Sequence, residues 1–145
     1  MGYQEASMMS LKLMPQNGFT LMELLVVLAI VGLLASMAMP IYQQAQQRGQ
    51  RSLAKLALLQ AAHWMERAAS AQGQYPLARD VPSNLLSPSG LNYQLSVTSS
   101  AQSFLITAQP SAAQATDACG SLTLSNTGVR DVKDASMTAA QCWSR

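Results

Sequence analysis

Gly18-Phe19-Thr20-Leu21-Met22-Glu23, followed by LLVVLAIVGLLASMAMPIY through Tyr42, is the stretch on which the rest of the chain depends. From Phe19 to Ile41 it supplies 23 residues, enough for a helix to cross a bilayer, which takes about 20. Glu23 is the only charge in that run. A carboxylate at such a depth costs about 3 kcal/mol on insertion scales, so it marks a functional position that calls for a partner. Lys12 and Arg48 are too distant in sequence to serve. Cutting the chain between Gly18 and Phe19 would create one, a free amine a single helical turn from Glu23. The competing reading is an ordinary secretory signal cut after Ala38, but its apolar core would far exceed the usual 7 to 15 residues.

At these residues the sequence resembles a type IV pilin precursor. The ungapped stretch GFTLMELLVVLAIVGLLA carries the resemblance, and Pro40 stands where that family commonly has a helix-weakening proline. The resemblance implies a leader over 1–18, removed by a prepilin peptidase between Gly18 and Phe19, N-methylation of Phe19, and an assembly role for Glu23. It implies an α+β fold, a long N-terminal helix packed on a small antiparallel sheet with a C-terminal disulfide loop. The expected partners are other pilin subunits, the peptidase and the assembly platform of the inner membrane. The head would be periplasmic before assembly and extracellular in the pilus afterwards.

Composition agrees with such a subunit. Charged residues are 11% of the 145, against about 25% in ordinary globular proteins. The net charge is +2, yet from Gly73 onward Arg79, Arg130, Lys133 and Arg145 balance Asp80, Asp117, Asp131 and Asp134. The excess therefore lies on the helix, at Arg48, Arg51, Lys55 and Arg67. Positive charges flanking a span normally mark its cytoplasmic side. By that rule Arg48, Arg51 and Lys55 would put the head inside. Two things outweigh it: the family keeps its leader in the cytoplasm, and two cysteines in the head suit an oxidising compartment.

The segment from Phe19 to about Gln72 reads as one helix, with Gly73 as its stop. Residues 19–42 form its membrane and polymerisation half and 43–72 its amphipathic half. Pro40, with Gly32 and Gly49, predicts bending or local melting near the membrane exit. Ala29, Gly32 and Ser36 share a face of small residues on which another helix could pack. Beyond Tyr42, Leu58, Ala62, Met65 and Ala69 form an apolar row extended by Leu53, Ala57 and Trp64, with Arg48, Arg51 and Lys55 on a solvated side. The head occupies 73–145. A loop spans 73–92, rich in proline and glycine; Tyr93, Leu95 and Val97 alternate with polar residues, as do Phe104, Ile106 and Ala108. Leu122-Thr123-Leu124 and Val129 to Val132 make a second hairpin, so that strands fill 93–132. Exported, Cys119 and Cys142 should pair and close a 24-residue loop over 119–142.

The run from Cys119-Gly120-Ser121-Leu122 to Cys142-Trp143 resembles the end of PilE-like minor pilins, a group that includes the DNA-uptake receptor pilin of competent bacteria. That implies DNA as an alternative ligand, with Arg130 and Lys133 as candidate contacts. A pseudopilin of type II secretion shares the N-terminal features. Two cysteines and one histidine, His63, are too few for a structural zinc site, so no metal and no cofactor is expected. No nucleophile–base arrangement, paired-carboxylate site or phosphate-cradling glycine loop points to an enzyme. Trp64 and Trp143 are expected as packing anchors.

Overall fold

A computed structural model describes residues 18–144; the leader before Gly18, and Arg145, lie outside the described residues. Helix α1 runs Leu21–Gln72, with Gly73 (φ +74°) closing it by donating its N–H to the carbonyl of Ala69 at 2.8 Å. This is the left-handed helix end for which glycine is suited. Melting at Pro40 does not occur: the helix is unbroken there, since the proline removes one backbone bond while its neighbours keep theirs. The proline marks a boundary of another kind. The chain divides into two units, one ending at Met39 and one starting at Pro40.

In the first unit every described residue is exposed, Leu28 and Leu33 by about two thirds. No apolar face is buried within the chain, and the helix is long and apolar enough to cross a membrane.

In the second unit, four strands form an antiparallel sheet in sequential order: β1 (Tyr93–Ser99), β2 (Phe104–Pro110), β3 (Ser121–Ser125) and β4 (Arg130–Lys133). Period-two alternation buries Tyr93, Leu95 and Val97 of β1 and Phe104, Ile106 and Ala108 of β2 on one face. Against that face α1 buries Ala54, Ala57, Leu58, Ala61 and Met65. This stripe is narrower and smaller than the expected Leu58–Ala62–Met65–Ala69 row; Leu53 is exposed and Ala62 and Ala69 only half-buried. Alanine at 54, 57 and 61 lets the helix backbone come close to the sheet, whereas the larger Leu53 lies off that line of approach.

The 73–92 loop is partly structured, with a 3-10 turn at Ala78–Asp80 and a short helix α2 (Ser83–Leu86). Tyr75 anchors its start, ring edge against Phe104 at 5.0 Å and hydroxyl donating to Glu66. A C-terminal helix, α3 (Ala139–Trp143), follows β4. Cys119 and Cys142 form a disulfide with S–S 2.04 Å, tying α3 to the segment before β3.

Candidate functional site

Two places concentrate the chemistry. At the start of α1, Thr20 caps the helix: its Oγ1 accepts the backbone N–H of Glu23 at 3.2 Å. Thr20-Leu21-Met22-Glu23 thus has the spacing of a capping box, with Glu23 in the first helical turn, where the helix dipole favours a negative charge. Phe19 stands just outside the turn and is exposed. Gly32, on the small-residue face, has nothing within 4 Å of where a Cβ would stand, so the face is open at that position.

In the head, the sequence did not single out Asp117, which proves to be its electrostatic centre. Its side chain has no exposed surface, and Oδ2 takes three donors: Arg51 Nε at 3.0 Å, the Tyr93 hydroxyl at 2.8 Å and Gln114 Nε2 at 2.8 Å. Oδ1 accepts the backbone N–H of Cys119 at 3.0 Å. Burial by itself would raise the carboxyl's pKa, but the Cys119 amide, Tyr93, Gln114 and the Arg51 charge together hold it below the usual carboxylate range. Burial, followed by the hydrogen bond to Asp117, pushes the Tyr93 hydroxyl far up. Gln114 also donates to the Gln47 carbonyl, and Gln47 to Thr116, so one carboxylate fastens the loop before β3 to α1 and to the disulfide. Arg51, expected on a solvated face, is drawn inward by this pair.

The candidate contacts Arg130 and Lys133 are three apart on β4, so they leave opposite faces of the strand. Arg130 lies on the helix side, its guanidinium 5.4 Å from the Trp143 ring centre. Trp143 packs against the core and donates Nε1 to the Asp131 carbonyl at 3.1 Å; Trp64 packs there too. His63 borders a recess of about 180 Å³ with Phe104, Leu124 and Arg130. Among the described residues no cluster of three metal-ligating side chains exists.

Helix α3 was missed, though its signal was present. Thr138 and Gln141 form a complete capping box, recognisable as Thr-x-x-Gln ahead of Cys142-Trp143.

Over residues 40–123, more than half of the chain, the sequence matches the family described as type IV minor pilin ComP, DNA uptake sequence receptor. The chain belongs to this family of type IV pilins. Residues 13–39 of this pilin match the prokaryotic N-terminal methylation motif. A solved type IV pilin from Shewanella oneidensis is 32% identical, with 68% of this chain and 99% of that one aligned at TM-score 0.51. The non-core minor pilin PilV of Neisseria meningitidis, 18% identical over 66% of this chain and 94% of its own, shares the fold at TM-score 0.51. The type IV major pilin protein PilE of Neisseria gonorrhoeae is 56% identical over 41 residues, 28% of this chain. Fimbrial protein EcpC of Eikenella corrodens is 54% identical over 37 residues, 26% of this chain. The matched segments span about a quarter of these curated relatives, 25% and 24% of their lengths.

Proposed function

We propose that this pilin is a non-enzymatic structural subunit, of the minor class, in a bacterial type IV pilus. Prepilin peptidase cuts between Gly18 and Phe19 and methylates Phe19; the product waits in the inner membrane with its head in the periplasm. On assembly, the Phe19 amine of an arriving subunit neutralises Glu23 of one already in the fibre, and the apolar halves of α1 pack side by side beneath Pro40. The observation that carries this reading is the fully exposed apolar run with a single carboxylate in its first turn. Removing an intramembrane charge sets the register of the stack. Mass spectrometry of the cellular protein should find a methylated phenylalanine, Phe19, at its N-terminus, and Glu23→Gln subunits should be depleted from sheared pili. A mature form starting elsewhere, or normal incorporation of the variant, overturns it.

A second role, capture of DNA at the pilus surface, is favoured by the family match over 40–123. Arg130 and Lys133, facing apart, would then act as separate phosphate contacts rather than as one patch. DNA retention by the full chain at low salt tests this role; no retention removes it.

A further inference from the structure

Between the middle of α1 and the C-terminal helix α3 lies a cleft of about 320 Å³ lined by Arg48, Arg51, Ser52, Lys55, Gln141 and Ser144. Among the described residues its lining holds three cations and no acid. The cations recur at positions i, i+3 and i+7 of α1, which places them along one face over about 10 Å.

Their states differ. The charge of Arg51 is taken by Asp117. Lys55 donates to the neutral Ser144 carbonyl at 2.7 Å, and among the described residues neither Lys55 nor Arg48 has an ion-pair partner. The side-chain oxygen of Gln141 accepts from the Thr138 amide at 3.1 Å and hydroxyl at 3.0 Å, so the Gln141 amino group is the part left for a ligand. The cleft thus offers charged and neutral N–H donors, which suits a tetrahedral oxyanion. Burial, then the charges of Arg51 and of Arg130 on β4, hold Lys55 below its ordinary pKa.

We infer that this cleft is a phosphodiester site, in which Arg48, Lys55 and Gln141 seat a backbone phosphate of DNA. It rests on the DNA-capture reading above and locates that contact on α1 and α3 rather than on β4. A lipid headgroup offers the same phosphate chemistry, but Arg48 and Lys55 lie 7 and 14 residues past Ile41, about 10 and 21 Å of helix, whereas a headgroup layer is about 6 Å deep.

The test uses the full processed chain in a neutral detergent, with fluorescent duplex DNA titrated at about 50 and 200 mM salt. Removing both cations that neutralise this phosphate in Arg48→Gln/Lys55→Gln should lower the slope of log K against log salt by about 0.9, weakening binding roughly 15-fold at the lower salt and roughly 4-fold at the higher. Gln141→Glu keeps the capping-box acceptor and puts an acid in the cleft; it should weaken binding with an unchanged melting temperature. Arg79→Gln, an exposed cation elsewhere, should leave the slope as it is. If the wild-type chain binds DNA and the double variant binds equally well, the cleft assignment is overturned and DNA capture stands. If the wild-type chain is not retained at low salt, both fall. If the double variant loses only its co-sedimentation with anionic vesicles, the phosphate is a lipid's and the assignment is overturned in that direction.

Discussion

The two halves of α1 invert the usual relation between apolarity and burial. From Leu21 to Met39 the helix is almost wholly apolar, and all of it is exposed; from Pro40 to Gln72 it is mixed, yet Ala54, Leu58, Ala61 and Met65 are completely covered. Burial in this chain follows the presence of a complementary surface. The head's sheet supplies one to the second half, while the first half must find its own in lipid or in neighbouring molecules, because so much contiguous apolar surface is not sustained in water. Sequence hydropathy reports what a segment needs, and the fold shows who provides it.

Five experiments would break or sharpen that contrast, each read from the fluorescence of Trp64 and Trp143, which both pack against the core between α1 and the sheet. The largest effect is expected at Asp117. Asp117→Ala leaves Arg51, Tyr93 and Gln114 facing a void and should destabilise the head by about 3 to 5 kcal/mol. The same carboxylate fixes a pH dependence. Because its folded pKa is depressed, its stabilisation is complete above the unfolded value of about 3.9 and is lost as pH falls through the lower folded one. The wild-type melting temperature should therefore fall below about pH 4 more steeply than that of Asp117→Asn; parallel curves would remove Asp117 from its central place. Next, reducing the disulfide should cost about 3 kcal/mol, the entropy of reopening a loop of 24 residues, with a fall in denaturation midpoint as the readout. Gly120 comes third. Its φ is +50°, and a Cβ there would overlap the Lys133 carbonyl and stand 2.6 Å from that of Asp134, so Gly120→Ala should cost about 2 kcal/mol in urea titration. The smallest effect belongs to the other half of the helix: Ile30→Ala should move the head's midpoint by less than about 0.5 kcal/mol, having no tertiary partner to lose. A large shift there would show that the two halves are energetically coupled.

Local pattern made some of this legible. The apolar run, the acid at Glu23, the stop at Gly73 and the alternation in β1 and β2 are all written in short stretches of sequence, and each has its counterpart in the structure. Of the expected apolar row Ala57, Leu58 and Met65 are buried, but Leu53 is exposed and the buried Ala54 and Ala61 were not singled out, because the sheet selects the face along which alanines permit close approach. Asp117 was invisible for a different reason. It is one of four head aspartates, and its partner Arg51 is 66 residues away, so no window of sequence contains the pair. The basic cleft lies between these cases. Arg48, Arg51 and Lys55 were plain on the helix, but that α3 would face them depends on the disulfide that carries α3 back.

The short strand β4, one edge of the sheet, bears Arg130, Asp131 and Lys133 in four residues, all exposed. Charges so placed discourage a second sheet from hydrogen-bonding along that border. Molecules crowded together by their oily helices would otherwise have a rival way to stick, through unsatisfied backbone, into tangled aggregates instead of an ordered filament. This border is blunted, which helps leave the helix as the route to self-association.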